Sequence, residues 1–115
     1  MSDSLAQLAQ ALQRFADERD WGQFHAPKNL ASALVVEAGE LLEPFQWLTE
    51  AQSRTLTAPK KAEVAAEAAD VLLYLLQLCD QLGIDLMAAA RQKMIANGEK
   101  YPVAAAPSSQ DPAAG

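Results

Sequence analysis

Four carboxylates are spaced to do chemistry. Glu37 and Glu40 lie three residues apart in LVVEAGELLE (34–43), and Glu67 and Asp70 lie three apart in EAADVLLYLL (67–76). At 3.6 residues per turn, each pair shares one edge of a helix. Both pairs sit among apolar residues: Leu34, Ala38, Leu41 and Leu42 around the first, a run of Val and Leu after the second. A purely structural helix gains nothing from this. Like charges one turn apart cost roughly 0.2–0.5 kcal/mol, and a carboxylate beside a core resists ionisation. Two such helices packed face to face would converge four acids on one spot, for which a divalent cation is the usual physical reason. All-oxygen ligation selects Mg²⁺, with Mn²⁺ as a substitute, over Zn²⁺. Mg²⁺ keeps several waters and takes phosphate oxygens as remaining ligands. Such a site can hold a nucleoside triphosphate by its phosphates, neutralise developing charge and orient or acidify a water. Acidic residues at this spacing also decorate solvated helix faces, and Glu43 and Glu63 fit that description. Two pairs, each against an apolar run, favour the metal.

The elements that must position these acids are helices. Half of the 115 residues are hydrophobic, Leu and Ala dominate, and Gly and β-branched residues are few, which favours an all-α protein of one domain. The first helix is expected over 4–19, opened by a capping box at Ser4 and Gln7, with Leu5, Leu8, Leu12 and Phe15 as its core stripe. Residues 20–28 read as a loop carrying Trp21, Phe24 and His25. These aromatics either cover the core or form a stacking wall for a planar ligand. A second helix is expected from an Asn29 N-cap to about Leu48, kinked by Pro44 near the carboxylates. Residues 49–58 form a polar connector. A third helix runs from about Pro59, behind Thr57, to Leu82, and Gly83 stops it. Its apolar surface extends past half the circumference, which hints at a subunit interface. A fourth helix opens at Ile84 or Asp85 and ends at Asn97-Gly98, with Leu86, Met87, Ala90 and Met94 inward. Residues 102–115, PVAAAPSSQDPAAG, read as a disordered tail after a domain spanning 1–101.

The charge of −6 and the pI near 4.6 argue against binding a nucleic-acid duplex through a basic surface. A polyphosphate remains accessible if metal ions mediate. Arg91, Lys93 and Lys100 could add phosphate contacts, or be ordinary charge near a helix C-terminus. Cys79 is the single cysteine; it reads as core filler, excludes an internal disulfide and suits a reducing compartment. The first residues, MSDSLAQLAQ, have no basic n-region or long apolar run, and no charge-free window of about 18 apolar residues occurs. The expectation is a cytoplasmic protein with no membrane span.

The words ERDWGQFHAPKNLASALVVEAGELLEPFQW, EVAAEAADVLLYLLQL and KMIANGEKYP resemble, in that order, the MazG-like all-α nucleotide pyrophosphohydrolases, and within them the small dCTP pyrophosphatase branch. The likeness covers roughly Leu5 to Pro102. It implies a four-helix bundle assembled as a homodimer or homotetramer, and Mg²⁺-dependent cleavage between the α- and β-phosphates of a (d)NTP, dCTP or a modified dCTP foremost, to a nucleoside monophosphate and pyrophosphate. It also implies that Glu37, Glu40, Glu67 and Asp70 are catalytic residues and metal ligands. Trp47 matches an aromatic that packs on the base, and Trp21 and His25 lie in the matching pocket loop. Tyr74, Lys93 and Asn97 match positions that contact sugar or phosphates, from the same or a neighbouring subunit. Lys100 and Tyr101 match a family word without an assigned role. Two residues depart from the pattern: Pro44, where relatives carry a helix former, and Leu12, where animal relatives carry a His near the base. The competing reading is a helical module that binds nucleotide without turnover, or an adaptor that binds neither metal nor nucleotide.

Overall fold

The computed structural model describes residues 4–103, and every regular element among them is helical. Five α-helices follow in order: α1 (Leu5–Glu18), α2 (Pro27–Leu42), α3 (Glu50–Ser53), α4 (Ala58–Gln81) and α5 (Leu86–Lys100), with a 3-10 turn at Gly22–Phe24 between α1 and α2. The chain divides into two compact units, one ending at Ile84 and one beginning at Asp85.

In the first unit α2 and α1 both pack on α4, α2 over the longer contact. The core is small: Ala16 of α1, Leu30 of α2, and Leu76 and Cys79 of α4 are the buried apolar residues. The expected capping box opens α1. Ser4 Oγ accepts from the Gln7 backbone N–H (3.1 Å) while Gln7 Oε1 accepts from Ser4 N–H (3.0 Å), so two donors at the helix start are satisfied reciprocally. Phe15, expected in the core, is 43% exposed. It sits in the last turn of α1, where the chain is about to leave the helix.

The start and end of α2 both differ from expectation for reasons that trace to proline. Its N-cap is Ala26, not Asn29, and Pro27 occupies the first helical position, where its missing N–H costs nothing. Asn29 lies inside the first turn and its Nδ2 donates back to the Phe24 carbonyl (3.4 Å). At the other end Pro44 terminates the helix rather than kinking it. The ring cannot donate to Glu40 O, which accepts instead from Glu43 N–H (3.1 Å), and α2 stops at Leu42. Pro44 itself is buried, and residues 43–48 form consecutive turns tied by Phe45 N–H to Leu42 O (2.9 Å) and Leu48 N–H to Phe45 O (2.9 Å).

The polar connector holds one further helix, α3, capped by a second capping box between Thr49 and Gln52. Thr57 caps α4 through Lys60 N–H (3.3 Å) with Pro59 in the first turn, as the sequence indicates. Gly83 ends it at φ +67°, the left-handed conformation that glycine adopts freely. Ile84 N–H reaches Cys79 O (2.8 Å) and Gly83 N–H reaches Asp80 O (3.2 Å), the paired bonds of a Schellman stop.

The second unit is built on α5, capped by Asp85 through Ala88 N–H (3.1 Å). It runs past Asn97-Gly98 to Lys100, because Gly98 keeps helical geometry and Tyr101 N–H bonds Asn97 O (2.7 Å). Leu86 is half-buried, but Met87, Ala90 and Met94, expected inward, are exposed. Of the expected tail, Pro102 and Val103 are exposed and non-helical; 104–115 lie outside the described residues. No single helix among the described residues is long and apolar enough to cross a membrane.

Candidate functional site

Packing α2 against α4 brings acids from both helices together. Glu37, Glu67 and Asp70 each offer a carboxylate oxygen, and these atoms all lie within 4.8 Å of one another. Glu37 and Glu67 are half-buried and Asp70 is exposed, so the cluster opens to solvent on the Asp70 side. Glu37 stands mid-way along α2, on the stretch that meets α4. On α4, Glu67 and Asp70 occupy one edge a turn apart, as their spacing requires.

Two oxygens in the cluster are orphaned. Glu37 Oε2 and Glu67 Oε2 are buried, and neither has a hydrogen-bond partner among the described residues. A buried acceptor without a donor is costly, more so when charged. The acids respond by resisting ionisation. Glu37 is raised from the ordinary carboxylate range to about 7, first by a hydrogen bond with Glu40 that favours its protonated form, then by burial, then by repulsion from Glu40, Asp70 and Glu67. Glu67 is also raised, chiefly by burial, with repulsion from Glu40 and Asp70 next and a smaller push from Glu43. Glu40 lies outside the three-oxygen set, yet it is the neighbour that does most to raise Glu37 and the foremost repelling charge on Glu67.

This donor set fits a hard divalent cation. It is all oxygen, it spans two helices, and two of its oxygens lack any other partner. Glu37, Glu67 and Asp70 would hold the ion directly, and Glu40 would stand beside it. No cation is needed to explain Glu63 or Glu43, which are exposed.

The expected base-binding residues fall in two places. Trp21 precedes the 3-10 turn, is 41% exposed, and meets Phe15 edge to face with ring centroids 5.4 Å apart. His25 follows that turn, is half-buried, and lies 6.4 Å from Trp21 between centroids. Trp47 sits in the turns after α2 and is 86% exposed. Tyr74, half-buried on α4, stands one turn beyond Asp70. Lys93, exposed, and Asn97, half-buried, stand one turn apart on α5 in the second unit. The sequence did not flag Arg19, whose guanidinium lies 3.5 Å over the Phe15 ring; the i, i+4 spacing of Phe15 and Arg19 was the available signal.

Residues 33–111, which carry both acid pairs, match the MazG-like family. The chain is 45% identical to dCTP pyrophosphatase 1 of Rattus norvegicus over 91 residues, 77% of this chain and 54% of that protein. It is 44% identical to dCTP pyrophosphatase 1 of Homo sapiens over 97 residues, 83% of this chain and 57% of that protein. It therefore spans about half the length of these curated relatives. A solved pyrophosphatase from Archaeoglobus fulgidus superposes with a TM-score of 0.82 at 40% identity, covering 90% of this chain and 96% of that one. By the extent of that match and the level of identity, this chain belongs to the MazG-like family.

Proposed function

We propose that this chain is a Mg²⁺-dependent nucleoside triphosphate pyrophosphohydrolase, acting on dCTP or a modified dCTP and releasing the monophosphate and pyrophosphate. The observation that carries the proposal is the meeting of Glu37, Glu67 and Asp70 within 4.8 Å, with two buried oxygens lacking partners. The relatives named as dCTP pyrophosphatases and as a pyrophosphatase supply the substrate class. When bound, Mg²⁺ (or Mn²⁺) supplies charge neutralisation for the phosphates and lowers the pKa of a coordinated water.

The chain's own residues do the rest. Glu37, Glu67 and Asp70 would hold the ion against which the triphosphate binds. Glu40, outside the three-oxygen set but beside it, takes a proton from the attacking water. The water oxygen bonds to one phosphorus flanking the α–β bridge, and the other phosphorus departs with the bridging oxygen. Trp21, Trp47 and His25 wall the base and Tyr74 contacts sugar or phosphates; Lys93 and Asn97 make such contacts from the same or a neighbouring subunit. The unit of function is a homodimer or homotetramer: among the described residues only Ala16, Leu30, Pro44, Leu76 and Cys79 are buried, while Val35, Val36 and Leu42 of α2 and Met94 and Ile95 of α5 are exposed, a distribution that a second copy would correct. The net charge of −6 fits a cytoplasmic enzyme whose partner is a small metal-bound nucleotide, not a duplex or a membrane surface.

Incubation with dCTP and Mg²⁺, followed by anion-exchange chromatography, tests the proposal. Stoichiometric dCMP and pyrophosphate are expected. Recovery of dCDP and phosphate, or of unchanged dCTP, rejects it.

A further inference from the structure

We propose that Arg19 is a positioning residue for the nucleobase: its side chain clamps Phe15 and thereby holds Trp21 in place as a stacking wall. The proposal rests on the nucleotide-binding assignment above. Arg19 makes three side-chain contacts, all within its own segment. Its guanidinium lies 3.5 Å over the Phe15 ring, Nη1 donates to the Phe15 carbonyl (3.0 Å), and Nη1 lies 3.6 Å from Glu18 Oε1. The first two grip the same residue by its ring and by its backbone, so Phe15 loses freedom at both ends. Phe15 in turn meets Trp21 edge to face at 5.4 Å, and Trp21 meets His25 at 6.4 Å. The four side chains form one relay from a helix end into the loop.

The backbone supports the same assignment. Asp20 adopts φ +55°, the only positive φ at a non-glycine residue among those described. That reversal lets Trp21 N–H return to Ala16 O (3.0 Å), directing the chain back over the end of α1. A residue held in the left-handed region must be supported by its surroundings; here the Trp21 N–H bond to Ala16 O and the ring relay support it. Phe15 and Trp21 nonetheless stay 43% and 41% exposed. Rings fixed in orientation yet left open present a π face to a planar ligand, whereas core filler would be covered. An ordered wall binds more tightly than a mobile one because less side-chain freedom is lost on binding.

Arg19→Ala leaves the backbone N–H that caps α1 intact and removes the clamp together with the exposed Glu18 contact. In a Trp47→Phe background, Trp21 is the sole tryptophan, and its acrylamide quenching reports its mobility directly. In that background Arg19→Ala is expected to raise the quenching constant about twofold; in the otherwise unsubstituted chain, with Trp47 in place, it is expected to raise KM for Mg²⁺-dCTP about three- to tenfold, with kcat within twofold and the melting temperature unchanged. Arg19→Lys, which keeps the charge but not the flat stack or the fork, should recover only part of the loss. Unchanged quenching and KM in Arg19→Ala, a loss confined to kcat, or a KM rise matched by a fall in melting temperature would each overturn the proposal. Failure of the underlying assignment has a different signature: absence of both turnover and dCTP binding in the unsubstituted chain.

Discussion

Glu37 on α2 and Glu67 on α4 each bury one carboxylate oxygen, Oε2, where no donor among the described residues reaches it, and these two acids face each other across the helix contact. Neither helix alone creates this. The conflict arises when α2 docks on α4, so the most extensive helix contact in the first unit is also where like charges are forced together.

The consequence for stability has a definite sign. Glu37 is raised to about 7 and Glu67 is raised in the same direction. For a carboxylate whose folded pKa is raised, the folded state holds the proton more tightly than the unfolded chain does. Its contribution is therefore fully present below the unfolded value of about 4.3 and is lost as pH rises through about 7. Metal-free protein should melt at falling temperature across that window. Added Mg²⁺ should raise the melting point most above pH 7, where the acids are ionised. Scanning calorimetry at pH 5, 6, 7 and 8 with and without Mg²⁺ measures both trends; a metal effect larger at pH 5 than at pH 8 would contradict the assignment.

Substitution should separate the ion's ligands from the proton acceptor. Glu67→Gln and Asp70→Asn are expected to cut turnover at least about 100-fold and to weaken Mg²⁺ binding in titration calorimetry. Glu67→Gln should also raise the melting point of the metal-free protein, since it removes a buried charge. Glu40→Gln should lower kcat comparably while leaving Mg²⁺ affinity within a few-fold. If Glu40→Gln abolishes metal binding as well, Glu40 is a ligand and not a base.

Capping controls the helix that carries two of the acids. Thr57 Oγ1 accepts from Lys60 N–H at the start of α4. Thr57→Ala should destabilise the protein by about 1 kcal/mol, read from urea unfolding. A change within ~0.3 kcal/mol would show that Pro59 alone sets the helix start.

The exposed apolar face of α2 predicts association. Val35 and Val36 are 72% and 59% exposed. The unsubstituted chain should sediment as a dimer or tetramer, and Val36→Glu should shift it toward monomer with loss of nucleotide turnover. A monomeric, fully active wild-type chain would remove the oligomer from the proposal.

What the sequence discloses here follows which interactions are local. The Ser4 and Thr57 caps, the Gly83 stop and the Glu67–Asp70 edge all depend on neighbours within a turn, and all stand as expected. The apposition of Glu37 with Glu67 was legible because each acid lies beside an apolar stretch whose burial pairs the helices. Where expectation and structure part, a competing local device was overlooked. Pro27, expected in the loop 20–28, is instead the first helical residue of α2, where its fixed φ and missing N–H suit a helix start. Thr49 and Gln52 carry the same capping box as Ser4 and Gln7, so the connector's helix was readable. Phe15 and Met94 have helical spacing like core residues, but spacing cannot tell a face buried within one chain from a face left for another surface.

The proline stop at the end of α2 has an electrical effect. A helix gathers partial negative charge at its carboxyl terminus, worth about 0.3–1 kcal/mol to a nearby cation. Because Pro44 halts α2 at Leu42, Glu40 lies in the final turn, so the negative end of the helix falls in the turn that carries this acid. The halted rod would thus lend its own backbone polarity to a positive ion bound beside that turn. A chain that coiled on through residue 44 would carry that polarity away from the acids, toward Trp47.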